Sequence, residues 1–147
     1  MPKIRVVIAD DAPYIRSMLT AFMESAGDMT LASATSNGAD AIDAVVDHAP
    51  DVVVLDIEMP GLHCFEAAKT IQTIKPDTGI VILSDRFDDR HIMTALRAGA
   101  LAYVAKEDEP VMDHILEAIR AVSSKRRYFS PSVNERILDP RFKKTFE

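Results

Sequence analysis

The chain has no tryptophan, a single cysteine (Cys64) and only five glycines in 147 residues. One cysteine excludes an intrachain disulfide and fits a reducing compartment, so a cytoplasmic location is expected. The apolar runs are four to six residues long, too short to cross a bilayer, so no membrane partner is expected. The opening residues lack the basic-then-apolar pattern of a signal segment. There is no repeat, no low-complexity tract, no Gly-rich nucleotide loop and no Ser-His-Asp arrangement. The four histidines, His48, His63, His91 and His114, share no metal-ligand spacing and read as surface residues.

What is present suits one soluble domain. Hydrophobic residues make up 48% of the chain, enough for a full core, and charged residues 27%. The net charge of −6 is unevenly spread. Residues 1–123 carry 10 Lys+Arg against 20 Asp+Glu, net −10; residues 124–147 carry 7 against 3, net +4. An acidic body argues against nucleic-acid binding through its own surface. The basic tail reads as a solvated linker.

Strand-like apolar runs alternate with helical periodicity five times. The strands are expected at Ile4–Ala9, Met29–Ala34, Val52–Leu55, Ile80–Leu83 and Ala102–Ala105. Helices are expected from the spacing of Ile15, Leu19, Phe22 and Met23 (Pro13 before, Gly27 after), and of Ala41, Ile42, Val45 and Val46. Three more follow from Phe65, Ala68, Ile71 and Ile74, from Ile92, Ala95 and Leu96, and from Met112 to Ile119, the last ending near Ser123. Val52–Leu55 is wholly apolar and largely β-branched, as befits a strand buried on both faces. Such (βα)5 alternation predicts an α/β fold, a doubly wound parallel sheet in the flavodoxin-like order 2-1-3-4-5.

Ligands bind such sheets at the carboxyl edge, where strand order reverses. Asp10 and Asp11 follow the first run, Asp56 the third, Ser84 the fourth and Lys106 the fifth. Three carboxylates and an ammonium in one crevice suit a divalent cation and a phosphoryl group better than they suit stability. Mg²⁺ takes oxygen ligands and keeps some waters. Asp11 and Asp56 are the expected direct ligands, with Asp10 through water and the Glu58 carbonyl completing the set. Asp56 can attack phosphorus as a carboxylate nucleophile, with Lys106 neutralising charge on the phosphoryl oxygens and Ser84 donating its hydroxyl. The blander readings are a plain Lys106–Asp56 ion pair, a Ser84 that bonds backbone, and a Tyr103 that packs on a helix.

The segments Ala9-Asp10-Asp11, Asp56-Ile57-Glu58-Met59-Pro60-Gly61, Val81-Ile82-Leu83-Ser84 and Ala98-Gly99-Ala100 through Tyr103 to Lys106 resemble a response-regulator receiver domain of two-component signalling, over about residues 3–123. That resemblance implies transfer of a phosphoryl group from a sensor histidine kinase to Asp56, with Mg²⁺ required. It implies a switch in which Ser84 moves toward the phosphoryl group and Tyr103 swings inward, repacking the face of the fourth helix, fifth strand and fifth helix. It also implies homodimerisation on phosphorylation and no turnover of an external metabolite. Kinase choice would lie near Pro13–Ser17. Glu107 after Lys106, with Arg127-Tyr128-Phe129-Ser130-Pro131, is similar to the LuxR/NarL branch. There a linker leads to a helix-turn-helix domain that binds DNA. Residues 1–123 are therefore expected to be the receiver and 124–147 a linker or tail. Likeness to that linker favours truncation over a natural single-domain regulator.

Some positions depart from the family pattern. Asp85 stands where a small residue is usual and could repel the donor; Cys64 replaces a glycine. Glu58 and Arg86 occupy the positions that tune dephosphorylation, and their opposite charges are expected to pair across the site mouth. Two other readings stay open: a phosphorylation-independent pseudo-receiver acting as a binding module, with Asp85 as its motive, and a small hydrolase with an aspartate nucleophile.

Overall fold

The computed structural model describes residues 2–144. Its elements run β1 (Ile4–Ala9), α1 (Pro13–Ala26), β2 (Met29–Thr35), α2 (Gly38–His48), β3 (Val52–Asp56), α3 (Cys64–Ile74), β4 (Gly79–Ser84), α4 (Asp89–Arg97), β5 (Ala102–Ala105), α5 (Val111–Ser123), β6 (Tyr128–Phe129), α6 (Pro131–Leu138) and α7 (Arg141–Lys144). All paired strands are parallel, in the order β2-β1-β3-β4-β5-β6. The doubly wound order 2-1-3-4-5 is as expected from the alternation, with β6 added at one edge.

Strand periodicity divides the core in two. Val7, Ala9, Val53, Leu55, Ile80, Ile82, Tyr103 and Ala105 face one side, where they meet Ala41 and Val45 of α2, Ala68 and Ile71 of α3, and Ile92 and Ala95 of α4. Their alternate neighbours Val6, Ile8, Val52, Val54, Val81, Leu83, Ala102 and Val104 face the other, against Leu19 and Met23 of α1 and Ile115 and Ile119 of α5. β1 from Val6 onward, β3, β4 and β5 are thus buried on both faces, which is why their runs are continuously apolar. Each fully buried Leu or Ile contributes roughly 1.5–3 kcal/mol relative to exposure. Gly79 opens β4 where α5 crosses it: a Cβ there would stand 2.2 Å from Val122 Cγ1. Gly27 takes φ +81° at the α1 C-cap, where its amide donates to the Met23 carbonyl.

The segment after Ser123, expected to be a solvated basic linker, is folded onto the domain. β6 pairs with β5 in the register Ala102–Tyr128 and Tyr103–Phe129. Val133 of α6 and Phe142 of α7 join the buried cluster that contains Tyr103 and Ala105. The physical reason is β5 itself, which would otherwise present an uncovered edge. Lys125, Arg126 and Arg127 are exposed, so the charge that suggested a linker faces water while the apolar residues behind it pack inward.

Candidate functional site

Parallel strands deliver their last residues to one edge, and here that edge gathers charge. Asp10 and Asp56 are each only 1% exposed. Asp10 Oδ1 accepts from the Ala12 amide at 2.9 Å, and the Asp10 carbonyl accepts from Arg16 Nη1 at 2.7 Å. Asp56 Oδ1 accepts from the Glu58 amide at 3.3 Å. Lys106 Nζ lies 3.2 Å from Asp56 Oδ1 and 3.5 Å from Asp10 Oδ2, while its amide donates to the Ser84 carbonyl at 2.8 Å. The two strand ends therefore lock the ammonium over both carboxylates.

One cation does not neutralise this group. Carboxylate oxygens of Asp10, Asp56 and the exposed Asp11 lie within 4.8 Å of one another. Asp10 Oδ2 and Asp56 Oδ2 are buried with no hydrogen-bond partner. Burial, then the charge of Asp10, push the Asp56 carboxyl up to about 6 despite the opposing pull of Lys106. Burial alone would lower the Lys106 ammonium, but Asp56, Asp10 and Asp85 outweigh it and raise it, so it stays charged. Hard oxygen donors, two of them without a hydrogen bond and Asp10 Oδ2 facing the Lys106 ammonium at 3.5 Å, fit a divalent cation of the Mg²⁺ type.

The remaining expected residues surround this centre. Ser84 is fully buried and its Oγ accepts from the Arg86 amide at 2.8 Å. Ser84 thus bonds backbone through its oxygen, and its hydroxyl also lies in hydrogen-bonding reach of the Tyr103 hydroxyl. Asp85 is exposed and lines a cleft of about 320 Å³ with Tyr14, Met18, Lys106 and Glu109, between α1 and α5. Arg86 Nε meets Glu58 Oε1 at 2.9 Å, so the opposite charges do pair across the mouth. Tyr103 is fully buried and its hydroxyl donates to the Arg86 carbonyl. Burial pushes that hydroxyl well above the usual tyrosine range, against a hydrogen bond with Ser84. Cys64 is also buried, and burial with the nearby Asp56 charge pushes its thiol up to about 12, which leaves it inert.

The histidines are less uniform than their spacing suggested. His48 and His63 are exposed, but His91 is half-buried against Asp88 and His114 against the Tyr128 hydroxyl, each at 2.6 Å. Sequence reasoning also missed Ser130, Ser132 and Arg136, which tie the C-terminal segment to β5, to the loop after Lys106 and to α4. Ser130-Pro131 was the available signal, a cap residue followed by proline at a helix start.

The family model of the response regulator receiver domain matches residues 6–120. The chain is 33% identical over 141 residues to the uncharacterized transcriptional regulatory protein YxjL of Bacillus subtilis, covering 96% of this chain and 64% of that protein. It is 34% identical over 119 residues to the chemotaxis protein CheY of Thermotoga maritima, covering 81% of this chain and 97% of that one. Its fold superposes on a two-component response regulator of the LuxR family from Aurantimonas with a TM-score of 0.88 and 25% identity, covering 95% of this chain and 98% of the other. The chain spans between half and two thirds of the length of the transcriptional regulators it matches. Among the described residues no helix is long and apolar enough to cross a membrane.

Proposed function

We propose that this chain, which belongs to the response regulator receiver domain family of two-component signalling, is a phosphorylation-activated switch with Asp56 as its acceptor. The observation that carries the proposal is the buried Asp10–Asp56 pair, with Lys106 over both carboxylates and one oxygen of each left without a hydrogen bond.

The donor in this reading is a phosphohistidine of a sensor histidine kinase. An Asp56 carboxylate oxygen attacks phosphorus in line; the P–O bond forms as the P–N bond breaks, and the electron pair returns to the imidazole nitrogen. Lys106 faces the charge that grows on the phosphoryl oxygens. The Ser84 hydroxyl turns to donate to one of them. Asp11 and Asp56 would hold Mg²⁺ directly, Asp10 through water, with the Glu58 carbonyl completing the protein set. When bound, the ion supplies positive charge against the phosphoryl oxygens. Reversal is hydrolysis: water attacks phosphorus, the P–O bond to Asp56 breaks, inorganic phosphate leaves and the carboxylate is restored. The Arg86–Glu58 pair over the mouth slows the approach of that water. The chain turns over no external metabolite.

Ser84 and Tyr103 carry the change to the face of α4, β5 and α5, and homodimerisation follows there or nearby. DNA would be reached only through a domain outside this chain, in the cytoplasm, to control transcription. The pseudo-receiver reading rested on Asp85. Its exposed side chain lies toward the α1–α5 cleft and supports the charge of Lys106, so its charge reaches the edge of the site, and phosphoryl uptake decides between the two readings.

The test is intact mass after incubation with acetyl phosphate, with and without Mg²⁺, for wild type and Asp56→Asn. A gain of about 80 Da that needs both Mg²⁺ and Asp56 supports the switch. No gain in a folded protein overturns it in favour of a constitutive binding module.

A further inference from the structure

We infer that the C-terminal segment, Tyr128 to Leu138, is an internal effector of the switch: its docking and the inward position of Tyr103 stabilise each other. The inference rests on the phosphorylation reading above and extends it to residues outside the family match, which ends at residue 120.

Three independent contacts place the segment on the parts that the switch must move. The first is β5. The Ser130 amide donates to the Tyr103 carbonyl at 3.1 Å, and Ser130 Oγ, fully buried, accepts from the Ala105 amide at 2.9 Å. One serine thereby clamps the backbone on both sides of Val104, immediately before Lys106. The second is the loop that follows Lys106. Asp108 accepts from the Ser132 amide at 2.9 Å and from the Ser132 hydroxyl. The third is the start of α4. Arg136 Nη2 and Nε reach Asp89 Oδ1 at 2.7 and 2.9 Å, and Asp89 is the first residue after the Ser84–Asp88 turn.

These contacts fix the sign of the coupling. β5 without β6 is an edge strand, and a tyrosine there keeps a route to solvent. With the segment in place Tyr103 has no exposed surface, and Val133 joins its cluster. α6 contributes Val133 to the cluster that holds the ring, so withdrawal of the ring leaves that seat less filled. Conversely, the cluster that Val133 enters is complete only while the ring is inside it. Tyr103 is already inward here with the segment docked, so a state that holds it there more firmly, which is the phosphorylated state in this reading, must tighten the segment. By reciprocity, the docked segment must favour that state by the same factor.

The test is hydrogen exchange on the full chain with Mg²⁺, with and without beryllium fluoride as a non-hydrolysing phosphoryl mimic. Beryllium fluoride affinity is measured in parallel for wild type, Arg136→Ala and Ser132→Ala, after circular dichroism shows both variants folded. The expected result is at least threefold slower exchange of Tyr128–Leu138 amides when the mimic is bound. Affinity for the mimic is expected to fall two- to fivefold in each variant. Unchanged or faster exchange of the segment, or unchanged affinity in both variants, overturns the inference. Acetyl phosphate separates the two failures. If Asp56 gains a phosphoryl group while the segment does not respond, only this inference falls; if Asp56 gains none, the phosphorylation reading falls and takes it along.

Discussion

Asp56→Asn is expected to make the metal-free protein more stable, not less. The Asp56 carboxyl is 1% exposed, and burial together with Asp10 holds it at about 6 against an ordinary 3.8. Its ionised form is therefore disfavoured by folding even after the attraction of Lys106 is counted. A shift of about two units corresponds to about 3 kcal/mol at 1.36 kcal/mol per unit. The sign is opposite to that of a salt-bridged aspartate. The penalty is fully present above about pH 6, shrinks as pH falls, and is gone below the unfolded value of 3.8. Asparagine keeps the size and an oxygen for the Glu58 amide, and Lys106 keeps Asp10 at 3.5 Å. For a chain of this length, roughly 2–4 °C of Tm per kcal/mol gives a rise on the order of 6–12 °C.

The assay is thermal unfolding in EDTA at pH 7.5 and pH 4.5, followed by circular dichroism. Wild type and variant share every other titrating group, so their difference reports Asp56 together with its coupling to Asp10 and Lys106. The gap should be wide at pH 7.5 and mostly closed at pH 4.5. Mg²⁺ at ten times its dissociation constant should then stabilise the wild type by about 1.4 kcal/mol and the variant by much less. A variant no more stable than wild type at pH 7.5, or a gap that ignores pH, would refute the assignment of strain to this carboxylate.

Three further outcomes follow from other contacts. Arg86→Ala removes an exposed pair, so stability should change by under about 0.5 kcal/mol, while the aspartyl-phosphate half-life, read by radiolabel decay, should shorten two- to fivefold; an unchanged half-life removes the shielding role. Val133→Ala should lower urea stability by about 2 kcal/mol because the side chain is fully buried, whereas a solvated linker would register almost nothing. Gly79→Ala forces a methyl to within 2.2 Å of Val122 Cγ1 and should cost about 1–3 kcal/mol; in a Val122→Ala background most of that cost should vanish, and a double-mutant cycle with no coupling would contradict the packing.

The candidate site was legible because of one regularity: parallel strands end together. Asp10, Asp56 and Lys106 are up to 96 positions apart, yet each closes an apolar run, so the run pattern alone gathers them. The Glu58–Arg86 pair was legible from the family resemblance, which singles out the positions two beyond Asp56 and Ser84, and from the opposite charges found there. The C-terminal segment offered no such pattern. β6 is two residues long, too short for period-2 alternation, and the lysine and arginines before it dominate the composition. The contact between Arg136 and Asp89 spans 47 positions, which no local spacing encodes. What the run of charge hid was a demand made elsewhere, by the uncovered edge of β5.

A continuous set of short contacts links Asp56, the proposed acceptor, to that edge, and its strength bounds the proposed switch. Asp56 Oδ1 accepts from the Glu58 amide, the Glu58 carboxylate meets Arg86, the Arg86 carbonyl accepts from Tyr103, and the Tyr103 carbonyl accepts from Ser130. A hydrogen bond of this kind is worth about 0.5–1.5 kcal/mol net, and the exposed Glu58–Arg86 pair less. If phosphorylation remakes two such links, as proposed above, the equilibrium moves by about 1–3 kcal/mol, a factor of roughly 5 to 150. That range suffices for signalling and remains small beside the stability of the domain, so the fold survives both states. The links also differ in exposure. Salt screens the Arg86–Glu58 step and leaves the buried Tyr103 step intact. High ionic strength should consequently shorten the phosphoryl lifetime while leaving the coupling between Tyr103 and the C-terminal segment in place.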